Sequence, residues 1–273
     1  MASIGTVYRK LRRAEKYLDI LEGELSTYDE SAPWAGEWEI DPKDRSQVLR
    51  LRVFREPDPE MEITVGEIVY QLRTSLDHLV TQLVALNGGD PENHSGGFPI
   101  CRDQRDYWEK TIKSRGHKVS RRNLLLEGVA PKHRTMIDSL QPYNQGKRMA
   151  RYDPLAVLND LCNGDKHRDV HPAILVRRDS VLTVGSAQAG ALLMHEKRIE
   201  GPTVRRKPLH DGAEMFRFSF TPANGSAPDP MDLEGAFTLG VCFGSRQVFV
   251  FDLRRIFDYV ETKVIARFSP EFI

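Results

Sequence analysis

The chain has 273 residues, 40% of them hydrophobic and 29% charged, with 39 Lys/Arg balanced against 39 Asp/Glu. That composition suits one large or two small globular domains with a real apolar core, and no repeat or low-complexity tract argues otherwise. No run approaches the roughly 18 apolar residues of a membrane span, the first residues lack the apolar stretch of a signal peptide, and the scattered Cys101, Cys162 and Cys242 form neither a disulfide framework nor a zinc pattern, so a cytoplasmic protein with no membrane partner is expected.

The first predicted element is a helix. Val7, Leu11, Ala14, Leu18, Leu21 and Leu25 recur in steps of four and three, which places them on one face. Ser3 is its N-cap, and the helix ends near 26–29. An irregular stretch with Pro33, Trp34, Gly36 and Trp38 follows. In 47–55, Leu49, Leu51 and Val53 alternate with Arg50 and Arg52, the pattern of a half-buried strand. Pro57 and Pro59 break the chain. A second helix, 61–87, is about 40 Å long at 1.5 Å per residue. Val65, Ile68, Val69, Leu72, Leu76, Leu79, Leu83 and Leu86 form its apolar stripe, and Gly88-Gly89 ends it.

Short helices are predicted near 103–114, 119–127 and 131–140. Asp153 and Pro154 read as N-cap and N1 of a helix that turns Leu155, Leu158 and Leu161 inward and stops at Asn163-Gly164. From about 173 the hydrophobic period changes to two. Strands are expected at 174–177, at 181–184, around Phe216, Phe218 and Phe220, and at 237–243. Gly244-Ser245 then turns into a last strand, 246–251, and 221–232 is a loop. Asp252 caps a closing helix that buries Leu253, Ile256, Phe257, Val260, Val264 and Phe268. Segregated helices and strands make the fold class α+β. The expected organisation is a mainly helical domain over 1–172, an antiparallel β region over 173–251, and a C-terminal helix over 252–273 that returns to the helical part.

Charge is uneven along the chain. Residues 1–99 carry a net −7, 100–169 a net +6 and 170–273 a net +1. The basic middle third can meet a polyanion, or it can be a solvated surface complementing the acidic first third.

The second helix, with V-G-E-I-V-Y-Q-L-R-T-S-L-D-H-L, resembles a segment of a widespread group of bacterial proteins in which it reads G-D-A-L-H-N-L-R-S-A-L-D-H-L. The group also shares an F-P-I, a Q-P-Y and a D-K-H-R, here Phe98-Pro99-Ile100, Gln141-Pro142-Tyr143 and Asp165-Lys166-His167-Arg168. This resemblance covers roughly 60–170 and brings no activity with it. More loosely, Arg73 and His78 are similar to the R-x4–6-H signature of HEPN-type helical domains, although Thr74 stands where Asn, Asp or His often follows the arginine. That likeness implies a helical bundle, to which the period-two region would be a β-rich insertion, and a metal-independent, cofactor-free endoribonuclease, a hydrolase acting on RNA as a homodimer, with toxin or defence roles by analogy.

The chemistry is sound. A histidine can take the ribose 2′-hydroxyl proton or protonate the leaving oxygen, and an arginine can stabilise charge on the phosphoryl oxygens. Arg73 and His78 are the candidate reacting pair, with His167 as a second acid or base. Asp77, Asp165, Lys166 and Arg168 are candidates for orienting or binding phosphate. Arg205 and His210 share the spacing but include Pro208 and lie among strands. Three alternatives stand beside the nuclease. Arg73 and Asp77 can form an ordinary i,i+4 pair in a non-catalytic binding protein. The 165–171 segment can be a capping loop at a helix end. His167 and His171, with Asp77, His78 and Asp165, can be ligands in a metal-dependent enzyme. No Walker loop, dinucleotide fingerprint or G-x-S-x-G elbow is present.

Overall fold

A computed structural model describes residues 2–44, 46–94, 96–109, 111–114, 117–167, 172–176, 209–218, 239–244 and 246–272. The fold is α+β, and the chain divides into two compact units. The first comprises Met1–Gly23, Pro59–His171 and Phe243–Ile273, and the second Glu24–Asp58 and Pro172–Cys242.

The first unit is helical. Helix α1, Gly5–Glu30, starts where Ser3 Oγ accepts the Gly5 N–H at 3.2 Å. Its predicted seam is buried throughout, from Val7 at 0% to Leu25 at 6% exposed. Helix α2, Glu60–Leu86, buries every stripe residue except Leu86, which its last turn leaves exposed. Gly88 ends it at φ +78, and the Gly88 and Gly89 N–H groups close back onto Ala85 and Val84, a conformation glycine adopts at little steric cost.

Between α2 and the next long helix the chain is cut short. Helix α3 is only Gln104–Trp108, not a helix to 114. Strands β3, Thr111–Ser114, and β4, His117–Ser120, pair antiparallel with Ile112 opposite Val119. Ile112 and Val119 are β-branched types of high strand propensity, a local signal that favours strands over a helical turn. Helices α4, Arg121–Leu125, and α5, Pro131–Ser139, follow.

Helix α6, Pro154–His167, starts as expected, with Asp153 Oδ1 accepting the Leu155 N–H at 2.9 Å. It does not stop at Asn163-Gly164: the helix runs on through Asp165, Lys166 and His167. Glycine inside a helix costs only about 1 kcal/mol relative to alanine, too little to end one whose apolar face is seated. The helix α7, Val250–Tyr259, begins two residues before Asp252, whose carboxylate accepts the Phe249 N–H at 3.2 Å from the first turn. A π-helical segment, Val260–Ile265, joins it to α8, Ala266–Phe268. The predicted core residues Leu253, Ile256, Phe257, Val260, Val264 and Phe268 are all buried. This C-terminal helix packs against α1. Arg254 reaches Asp19 at 2.7 Å and Glu22 at 2.8 Å, and the Tyr8 and Ser269 hydroxyls meet at 2.7 Å.

The second unit is built on strands. The stretch expected to be irregular is strand β1, Trp34–Ile40, in full register with β2, Gln47–Val53. Tryptophan suits a strand; the neighbouring proline, glycine and glutamates masked the alternation. Outward Arg50 and Arg52 pair across the ladder with Glu39 and Glu37, while Leu49 and Leu51 are buried. Strand β6, Glu214–Phe218, joins β2 on its other side. Strand β5, Pro172–Val176, neighbours β7, Leu239–Phe243. Leu49, Leu51, Ile174 and Met215 form one cluster, with Trp34 and Trp38 against it. In the first unit, β8 covers only Val248–Phe249, because the helical pattern takes over at Val250. The expected features at 181–184 and 221–232, and Phe220 and Phe237, lie outside the described residues.

Candidate functional site

Arg73 and Asp77 sit one turn apart on α2. The guanidinium holds the carboxylate with two hydrogen bonds, Nη2 to Oδ1 at 2.9 Å and Nε to Oδ2 at 3.2 Å. Nη2 also donates to the Phe98 carbonyl at 2.8 Å, and Asp77 Oδ1 accepts the Phe98 N–H at 2.8 Å. One ion pair therefore satisfies both backbone groups of Phe98. Arg73 Nη1 is buried without an acceptor among the described residues, so it is closed to solvent as well. Gly97 is part of the arrangement: a Cβ there would stand 2.7 Å from Asp77 Oδ1 and force the carboxylate away.

The far end of the same segment is held by Gln141, 1% exposed. Its Nε2 donates to the Pro99 carbonyl at 2.8 Å and to the Ile137 carbonyl at 3.3 Å, and its Oε1 accepts the Cys101 N–H at 3.1 Å. The Tyr143 N–H donates to the Cys101 carbonyl at 3.2 Å. Phe98, Ile100 and Cys101 are buried. Residues 98–101 thus lie outside the strands, and side chains take both backbone groups of Phe98, the Pro99 carbonyl and the Cys101 N–H. The R-x3-D, F-P-I and Q-P-Y motifs are one another's partners.

His78 serves the opposite flank of α2. On that flank Gln71 is buried at 8% exposed, and Gln82 Oε1 accepts the Ser3 N–H at 2.7 Å, so the polar face lies along the start of α1. His78 is partly buried and has no hydrogen-bond partner among the described residues. Its pKa is held below the ordinary 6.5 by burial first and by the positive charge of Lys10 second, against a smaller opposing pull from Asp77. Both effects favour the uncharged imidazole. Arg73 and His78 therefore engage different neighbours, the 98–101 segment and α1.

Asp165, Lys166 and His167 occupy the last turn of α6, a helix that packs against α2. Arg168, Asp169 and His171 lie outside the described residues, as do Arg205 and Pro208. Among the described residues no three His, Cys, Asp or Glu side chains converge as metal ligands.

Three arrangements carry no short-range sequence signal. Asp138 accepts the Tyr107 hydroxyl at 2.6 Å and the Arg122 guanidinium at 2.6 and 2.8 Å. Burial, then that bond, pushes the Tyr107 phenol far above its usual range. Asp160 pairs with Arg102 and Arg246. Glu271 pairs with Lys132 and His133, which hold its carboxyl below the usual range. A fourth group was visible but averaged away. Arg9, Lys10, Arg12, Arg13 and Lys16 crowd eight positions of α1, inside a third of the chain that is acidic as a whole. All three cysteines are buried outside any disulfide, and burial pushes Cys242 up to about 12, which leaves it unreactive.

Compared with protein-family models, with curated proteins and with solved structures, the chain has no significant match to any of them.

Proposed function

We propose that the helical unit is a non-catalytic binding module in which Arg73 and Asp77 serve the architecture. The observation that supports this reading is the engagement of the Arg73 guanidinium. It is spent on Asp77 and the Phe98 carbonyl, on the flank of α2 away from the one His78 shares with α1. A guanidinium that neutralises a phosphoryl transition state must be free to meet it. Incubation of the full chain with total RNA, with mapping of any new ends, tests the reading. RNA is expected to stay intact, and Arg73→Lys is expected to lower thermal stability, because an ammonium cannot hold a carboxylate and a carbonyl with the planar fork.

A second reading keeps the HEPN-like helical bundle and a metal-independent endoribonuclease working as a homodimer. His78 favours it, being partly exposed, without a hydrogen-bond partner among the described residues, and biased toward the uncharged form by burial. His167 would be a second acid or base, with Asp77, Asp165, Lys166 and Arg168 orienting phosphate. On this reading wild-type protein cuts RNA in the presence of EDTA and leaves 2′,3′-cyclic phosphate. His78→Ala lowers the rate by roughly 10²–10⁴-fold, and Arg205→Ala or His210→Ala changes nothing. Such cleavage would overturn the binding-module reading.

A further inference from the structure

We propose that the outer flank of α1, with Tyr70 of α2, is a binding surface for single-stranded nucleic acid: Arg9, Arg12, Arg13 and Lys16 meet the phosphates, and Tyr17 and Tyr70 stack on bases. The proposal rests on the binding-module reading and names its ligand class. At 100° per residue the four outer cations and Lys10 spread over about 160° of the helix, on the side away from Val7, Leu11, Ala14 and Leu18. Arg9, Arg12, Arg13 and Lys16 are exposed, and Lys10 is half-buried.

These cations form no ion pairs among the described residues, although Glu15 and Asp19 lie on the same helix. Among the described residues none of the five has a carboxylate partner, whereas Arg50, Arg73, Arg122, Arg217 and Arg254 each hold at least one. Arg9 and Arg13, and Arg12 and Lys16, are like charges four apart, and Arg9/Arg12, Lys10/Arg13 and Arg13/Lys16 are like charges three apart. Each such pair destabilises an isolated helix. The first turn of α1 holds no acid, so the positive end of the helix dipole adds to the same field. A folded chain of zero net charge concentrates positive potential here at a cost to its own helix.

The rings supply what a merely solvated charge run lacks. The Arg13 guanidinium lies 4.7 Å from the Tyr17 ring centroid and donates to the Tyr17 hydroxyl at 2.7 Å. Lys10 Nζ stands 5.9 Å over the ring of Tyr70, which is 53% exposed. Phosphate-binding cations beside an exposed Tyr70 ring and a half-buried Tyr17 ring form the combination that takes an unpaired strand, since every base offers a face to stack. A duplex hides those faces. A lipid surface would need an apolar face to bury, and the apolar seam of α1 is sealed in the core.

The test uses the full-length chain and fluorescence anisotropy with labelled oligouridylate and oligodeoxythymidylate, which separate RNA from DNA. Both strands are expected to bind, with a log–log salt slope of about −0.7 per phosphate contacted. The triple variant Arg9→Glu/Arg13→Glu/Lys16→Glu is expected to weaken binding on the order of a hundredfold with an unchanged circular dichroism spectrum. Should it fail to fold, the milder Arg13→Gln/Lys16→Gln is expected to lower both affinity and salt slope. Tyr70→Ser is expected to weaken binding about tenfold while leaving the slope alone. Absence of binding at low salt would overturn the proposal. So would equal binding by polyglutamate, by duplex or by anionic vesicles, or an unchanged affinity in Tyr70→Ser. Strand cleavage in the same tubes would remove the binding-module reading and leave the surface standing. Intact strands that do not bind would remove the surface and leave that reading.

Discussion

Asp153 and His78 are both partly desolvated, with opposite consequences. Burial outweighs the backbone N–H groups that Asp153 caps and raises its carboxyl above the ordinary 3.8. A raised carboxyl contributes stability that is complete below its unfolded value and lost as pH rises through the folded one. Asp153→Asn keeps the acceptor for Leu155 without the buried charge, so at pH 7 it is expected to be more stable than wild type. Asp153→Ala loses the cap and is expected to cost about 1 kcal/mol. Urea denaturation of the two variants checks both. His78 runs the other way: its folded pKa lies below 6.5, so below that pH the unfolded chain takes up the proton first. The neutral imidazole's stability is complete above 6.5 and is lost as pH falls through the folded value. His78→Gln is expected to flatten that part of the stability–pH curve, and an unchanged curve would count against a desolvated histidine.

At the scale of elements, the 98–101 segment tests the architectural role of the shared motifs. Gln141→Ala strands the Pro99 carbonyl and the Cys101 N–H in a buried site, where each unsatisfied group costs about 1–3 kcal/mol. Asp77→Ala leaves the Phe98 N–H without its acceptor and the Arg73 guanidinium without its counter-ion, at a similar cost tempered by partial exposure. Because both act on one short segment, their effects are expected to be non-additive. A double mutant whose loss in chemical denaturation equals the sum of the singles would show that the two ends are held independently.

For the whole molecule, the two units offer separate probes. Trp34 and Trp38 pack against the Leu49, Leu51, Ile174 and Met215 cluster, whereas Trp108 belongs to the helical unit, where the Arg122 guanidinium lies 4.6 Å from its ring centroid. Leu51 is 2% exposed, and Leu51→Ala is expected to cost about 2–5 kcal/mol. Fluorescence of a Trp108→Phe background, reporting Trp34 and Trp38 alone, is the measurement. A midpoint unmoved by the substitution would contradict the cluster. Light scattering at micromolar concentration addresses the homodimer of the second functional reading, and a monomer there would count against it.

The periodicity of α1, α2 and the C-terminal helix was written in the sequence because each seam repeats over many turns, and summed burial dominates local propensity. The α+β class and the Asp153 cap were legible for the same reason: they depend on neighbours in the chain. Strand β1, the β3–β4 hairpin and the continuation of α6 past Gly164 were not, since each is decided by a partner strand or a seated face that outweighs weak local signals. The candidate site divides in the same way. The spacing of Arg73 and Asp77 makes them neighbours on a helix, and the sequence alone determines that. Only the tertiary structure decided that their shared partner is Phe98, that Gln141 holds the other end of the same segment 43 positions beyond Phe98 in the sequence, and that the charge of Lys10 acts on His78. A side chain's hydrogen-bonding capacity is local, but the group that consumes it is brought there by the fold.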